Sequence, residues 1–178
     1  VIRRGSDEIH AVPVSSHAPQ VTLLSPNGGE SWLAYGERTV TWSASDADGD
    51  ALHYILQYSI DGGTTWTALA TNVEGQSYIV NAGMLAGSTS ARLRVIATDG
   101  ANTSQDDADG VFSVDGKPPL AAIASPVDGG LYLPGQPVIL EGVATDLEDG
   151  PITGGLSFRW HSSIEGDLGA GRQLFFED

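Results

Sequence analysis

The sequence contains no cysteine and only 8 Lys and Arg among 178 residues. The first absence excludes disulfide staples and thiolates, both as nucleophiles and as metal ligands. The scarcity of cations, set against 23 acidic residues and a formal charge of −15, excludes nucleic acid and anionic membrane surfaces as partners, because phosphate recognition needs clustered Lys and Arg. Cations are the natural complement of such a chain. Apolar runs are short, far below the roughly 20 residues of a membrane-spanning helix, so no direct membrane insertion is expected. Nor is there a Gly-x-Ser-x-Gly elbow, a His-Glu-x-x-His pair or a phosphate-cradling glycine loop. The four histidines, His10, His17, His53 and His161, share no metal-ligand spacing. No apolar stretch of signal-peptide type follows Arg3-Arg4, so the chain reads as a piece of a longer protein whose export signal lies elsewhere.

What is present is glycine, 23 residues, with 9 prolines and 40% hydrophobic residues, the composition of a turn-rich β protein. Its organising stretch runs from Thr39 to Trp66. Val40, Trp42 and Ala44 alternate with polar neighbours, as do Leu52, Tyr54, Leu56 and Tyr58, and a two-residue period places each apolar set on one sheet face. Asp46-Ala47-Asp48-Gly49-Asp50 breaks the two strands apart, and Asp61-Gly62-Gly63 supplies a hairpin leading to Trp66. Further strands are expected at 20–24, 67–70, 77–80, 91–97 and 110–114, with a brief pairing near Ser31 and a turn near Ala82. Trp42, Tyr54, Leu56, Leu93 and Val95 are the predicted core.

Three segments follow. Residues 1–19 read as a β-hairpin and linker, the end of a preceding domain; 20–115 as one sandwich; and 119–178 as a second, incomplete one. Ser25-Pro26, Gly29, Leu33, Val40, Ala44, Asp46 and Asp48 recur 100 positions later as Ser125-Pro126, Gly129, Leu133, Leu140, Ala144, Asp146 and Glu148. In the second segment strands are expected at 120–124, 138–144, 156–160 and 173–176, about three fewer than a seven-strand sandwich needs.

The Val40-Thr41-Trp42, Tyr54–Tyr58 and Leu93–Ala97 strands, with Ser25-Pro26-Asn27-Gly28-Gly29-Glu30 before them, resemble fibronectin type III and related bacterial immunoglobulin-like modules. Gly142–Asp146 and Leu156–Trp160 resemble the same kind of module. The resemblance implies an all-β fold of tandem immunoglobulin-like sandwiches, the second incomplete. It also implies an extracellular or cell-surface setting and a non-catalytic role as spacer, adhesion element or binder of protein or carbohydrate. The alternative is an accessory domain of a secreted hydrolase, protease or glycosidase. One departure from the resemblance is the missing tyrosine near Ala91, which in the family pins a corner by a hydrogen bond.

Two motifs carry candidate chemistry. Ser59-Ile60-Asp61-Gly62-Gly63-Thr64-Thr65-Trp66 resembles the Asp-box hairpin of sialidase propellers; a single copy is read as a turn knitted by its own Asp side chain. Asp46, Asp48 and Asp50, joined by Asp99 and by Asp106, Asp107 and Asp109 from a neighbouring loop, could gather the oxygens that Ca²⁺ requires. The same residues also make ordinary solvated turns. The open face expected on the second sandwich is read in two ways, as a site for self-association through a neighbouring molecule's hairpin or as a half-domain that is poorly ordered.

Overall fold

The computed structural model describes residues 2–10, 15–133 and 135–176. It divides into two compact units, Val1–Asp115 and Gly116–Asp178. No helix among the described residues is long and apolar enough to cross a membrane. The chain opens with the hairpin β1 (Ile2–Arg4) and β2 (Asp7–His10), turned at Gly5-Ser6; Val1 and residues 11–14 lie outside the described residues.

The first unit then builds two sheets. One holds β3 (Gln20–Ser25) and β5 (Glu37–Ser45), with β8 (Ser77–Asn81) on the other side of β5. The second sheet contains β4 (Ser31–Trp32), β6 (His53–Ser59), β7 (Thr67–Val73), β9 (Ser88–Thr98), β10 (Thr103–Asp107) and β11 (Phe112–Val114). Within it β9 is flanked by β6 on one edge and by β10 and β11, end to end, on the other; β4 adds to β11 in parallel. A 3-10 turn, Ala82–Met84, leads from β8 to β9 and is capped by the Asn81 side chain.

The alternating residues meet between the sheets. Trp42, Tyr54, Leu56, Leu93 and Val95 are all buried, as predicted, together with Leu23, Val40 and Phe112. The rings of Trp42 and Tyr54 lie 5.1 Å apart and tilted, as do those of Trp32 and Phe112 at 4.8 Å. The corner that lacks a tyrosine at Ala91 is pinned from the adjacent strand instead. Tyr58, paired in register with Leu93, donates its hydroxyl to the Ala86 carbonyl at 2.7 Å. At the opposite end from the β5–β6 loop, Gly28 has φ +125° and its Cα side faces Gly110. A Cβ there would sit 2.7 Å from the Gly110 Cα, so only glycine permits this approach.

Two expectations are corrected. The closing strand lies at β11, within the expected 110–114, but the residues before it, expected as a loop, form the separate strand β10, because β9 runs on to Thr98 and offers an edge to pair with. In the second unit, Leu156–Ser157 belong to a 3-10 turn, Gly155–Ser157, and the strand starts at Arg159. That unit contains β12 (Leu120–Ser125), β13 (Val138–Asp146), β14 (Gly150–Pro151), β15 (Arg159–Ser162), β16 (Gly166–Ala170) and β17 (Gln173–Phe176). Strand β13 pairs with β12, β14 and β17, while β15 and β16 form a separate hairpin. The pairing of β12 with β13 repeats that of β3 with β5: Ile123 faces Gly142 as Leu23 faces Trp42, and both ladders shift register at the following serine. Ser25-Pro26 and Ser125-Pro126 are both cis.

Candidate functional site

The polar chemistry of the first unit is densest where the β5–β6 loop, the β9–β10 turn and the segment before β3 converge. The loop folds on Asp46, whose Oδ1 accepts the amides of Asp48 at 2.8 Å and Asp50 at 3.3 Å. Gly49, at φ +77°, lets the chain reverse between them. This turn aims Asp48 at the incoming chain. Its Oδ2 accepts the Ser15 hydroxyl and the amides of Ser16 and His17, each at 2.8 Å, and its Oδ1 lies 2.8 Å from the His17 Nδ1. Hydrogen bonding to His17 above all holds the Asp48 carboxyl far below its ordinary range, and the same bond raises the His17 imidazole above 6.5.

The β9–β10 turn holds the same segment from the other side. Asp99 Oδ1 accepts the amides of Ala101 and Asn102, which closes the turn and lowers its carboxyl to about 2, the Asn102 amide contributing most. The Asn102 amide group, so placed, donates to the carbonyls of Ser15 at 3.2 Å and His17 at 3.3 Å. Residues 15–17 are thus clasped by two loops, with Asp48 as the principal acceptor.

The second unit has the same device in reduced form. Asp146 Oδ1 accepts the amides of Glu148 and Asp149, the first being the chief cause of its lowered pKa. Glu148 Oε1 in turn accepts the amide of Lys117, in the segment before β12, at 3.3 Å. Asp48 and Glu148, 100 residues apart, each reach back 31 to 33 residues to the chain entering their own unit.

The seven acids considered for Ca²⁺ are only partly brought together. One oxygen each from Asp46, Asp48 and Asp50 lie within 4.8 Å of one another, whereas the other four acids stand outside that group. Asp99 knits its own turn. Asp106 and Asp107 are not in a loop at all but on β10. Asp106 Oδ2 accepts the Leu23 amide at 2.8 Å, tying the two sheets together. Asp107 forms a two-point ion pair with Arg94, whose guanidinium lies 4.1 Å above the Trp66 ring. Asp109 exchanges hydrogen bonds with Asn27, both at 2.8 Å, near the Gly28–Gly110 contact. The expected loop was misplaced because β10 occupies its residues.

The Asp61 hairpin is the self-knitted turn that its sequence implies. Asp61 Oδ1 accepts the Ser59 hydroxyl and the Thr65 amide, and Oδ2 accepts the Thr65 hydroxyl at 2.7 Å. These bonds, the Thr65 amide foremost, lower its carboxyl to about 2. Gly62 donates to the Ser90 carbonyl, so the turn is also tied to β9.

The clasp itself was missed by sequence reasoning. The signal was there in Ser15-Ser16-His17, a run of donors shortly before β3, and in the acidic residue that recurs as Asp48 and Glu148. The partners are too far apart in the chain for local spacing to connect them.

Three strands, β3, β5 and β8, face a sheet ordered β7, β6, β9 and then β10 with β11. That arrangement decides the fold class. The first unit has a fibronectin type III-like, immunoglobulin-like fold. No protein-family model matches the sequence, and no curated protein matches it. Among solved structures the chain is similar to fibronectin(III)-like modules of Clostridium thermocellum CbhA, at 14% identity over 89% of this chain and 79% of that one, with a TM-score of 0.36. It is also similar to the N-terminal four Ig domains of Dscam1 isoform 4.4, at 19% identity, 93% and 40% coverage and a TM-score of 0.37. A structure addressing Dscam isoform specificity gives 17%, 93% and 39%, with a TM-score of 0.40. The chain spans about two fifths of the length of these Dscam chains.

Proposed function

We propose that this chain is a non-catalytic spacer or binding module of a larger secreted or cell-surface protein, a segment of a tandem array with stiffened joints. The observation that carries this reading is the paired clasp. A flexible linker leaves neighbouring modules free to reorient, but here the residues before each sandwich are hydrogen-bonded to that sandwich's own acidic loop. Ordering the entering chain shortens the flexible part of any linker to a preceding module. A spacer needs that property and a lone soluble domain does not. Small-angle scattering of the intact chain tests the reading: a narrow range of dimensions is expected, broadening in the Asp48→Ala, Glu148→Ala double variant. Equal breadth in both would refute it.

A second reading, Ca²⁺ at the first clasp, is favoured by the Asp46 Oδ2. This atom is enclosed and has no hydrogen-bond partner among the described residues, although two other carboxylates lie close by. The fit is partial. Ca²⁺ takes about six to eight oxygens, and both Asp48 oxygens already accept donors from residues 15–17. An ion at Asp48 would therefore compete with the clasp, and Asp46 and Asp50 would supply the remaining carboxylates.

A further inference from the structure

Within the two sheets of the first unit's sandwich, β3, β4, β7, β8 and β10 each pair on one side only among the described residues. Native sheets blunt such edges with short strands, charges, bulges or cover. Four of these five strands show such a device. Strand β4 is two residues long, and β10 carries Asp106 and Asp107. Strand β3 shifts register after Leu23, whose amide is taken by Asp106. Strand β7 shifts register twice against β6 and holds Asn72 at φ +55°. Strand β8 has none of these. Its five residues, Ser77-Tyr78-Ile79-Val80-Asn81, include neither a charge nor a proline, and they pair with β5 in unbroken register from Thr41 to Glu37.

The direction of its main-chain groups follows from the ladder. The Trp42 amide donates to the Gln76 carbonyl at 3.1 Å and the Ala82 amide to the Gly36 carbonyl at 2.9 Å. Alternation in an antiparallel pair then turns the groups of Tyr78 and Val80 toward β5, and those of Ser77, Ile79 and Asn81 toward the bare side. Val80 is buried and Tyr78 packs against the core, whereas Ile79 is 59% exposed.

We propose that β8 pairs with β8 of a second copy of this chain about a two-fold axis at Ile79. Two-fold symmetry makes the pairing antiparallel and self-complementary. In this register Ile79 meets Ile79 and Ser77 meets Asn81, so the outward groups bond one another in about six main-chain hydrogen bonds. The two Ile79 side chains lie side by side, and the sheet β3-β5-β8 continues into its copy. Charge points to a second copy as the occupant. Two chains of formal charge −15 repel, so they meet where carboxylates are absent. Strand β8 is uncharged, as are Thr39 and Thr41, which face Ile79 and Ser77 on β5; acids stand only at Glu74, before the strand, and at Glu37, opposite Asn81. A contact of this size makes a weak, reversible dimer.

The experiment combines sedimentation equilibrium of the intact chain with amide exchange by NMR on the isotopically labelled chain. A monomer–dimer equilibrium is expected, and it should tighten as salt is raised from about 0.05 to about 0.5 M, because screening removes like-charge repulsion. Raising the protein concentration should slow exchange at Ser77, Ile79 and Asn81 while leaving Tyr78 and Val80 unchanged, since their amides are already bonded to β5. Ile79→Lys alters an exposed side chain and sets two like charges against each other, so it should weaken the dimer by about tenfold or more. A chain that stays monomeric at millimolar concentration overturns the proposal. So does a dimer that loosens with salt, that protects amides elsewhere than on β8, or that is as strong in Ile79→Lys.

Discussion

Trp42 and Gly142 occupy the same place in their ladders, opposite Leu23 and Ile123, yet one fills the adjoining space with its own ring and the other leaves it to rings from elsewhere in the unit. Above Gly142 lie the rings of Phe158 and Trp160: a Cβ added there would stand 2.8 Å from Phe158 Cδ1 and 3.4 Å from Trp160 Cζ2. The core aromatic has moved from the β5 position to the facing hairpin. Gly142→Ala should therefore destabilise the second unit by about 1–3 kcal/mol through overpacking. Denaturant unfolding followed by Trp160 fluorescence checks this, and a neutral result would mean that the rings are not seated on the glycine.

At Trp42 the opposite change matters. Trp42→Ala should cost about 3–5 kcal/mol, the range for emptying a large aromatic site. The Trp42 Nε1 is buried without a hydrogen-bond partner among the described residues. Trp42→Phe removes that donor along with some volume, so its loss should be clearly smaller than that of the alanine variant. Similar losses for the two would show that the indole N–H is satisfied in solution.

Tyr58→Phe tests the relocated corner. Losing the hydroxyl bond to the Ala86 carbonyl should cost about 1 kcal/mol and speed amide exchange around Ala86 and Gly87. If exchange there is unchanged, the corner is held by something else.

The His17–Asp48 contact should be visible as pH dependence. The folded chain holds the His17 proton more tightly than the unfolded chain, so this contribution is complete below 6.5 and fades as pH rises past the raised folded value. Asp48 behaves in the opposite sense: its contribution stands above 3.8 and is lost as pH falls toward its lowered folded value. The clasp is thus strongest between these limits. In Asp48→Asn the His17 imidazole should titrate lower than in the unaltered chain by NMR; an unchanged midpoint would remove Asp48 as the cause.

Calcium added to chelator-treated protein at millimolar concentration should raise the melting temperature by mass action and shift the His17 ring signals as Asp48 changes partners. No change in either would leave the Asp46–Asp50 loop as a clasp only.

The long strands were legible because burial imposes a period of two, and β5, β6 and β9 carry it over seven to eleven residues. Strands β10 and β16 were not. Thr103-Ser104-Gln105-Asp106-Asp107 and Gly166-Asp167-Leu168-Gly169-Ala170 have little intrinsic strand preference and become strands because a neighbour presents an edge. The acidic loop was recognised as a centre of polar chemistry, but its role depends on donors more than 30 residues away. A composition rich in carboxylates suggests an ion; only the fold shows that the chain's own amides answer first.

The parallel pairing of β4 with β11 bears on how the first unit would respond to being pulled. Val111 accepts the Gly29 amide, Glu30 accepts that of Ser113 and Trp32 accepts that of Asp115, all at 2.8–2.9 Å. Tension entering through the first strands and leaving beyond Asp115 drags the two partners in opposite directions along their common axis. These rungs are then loaded in shear and must rupture together, whereas an antiparallel pair pulled from one end would open rung by rung.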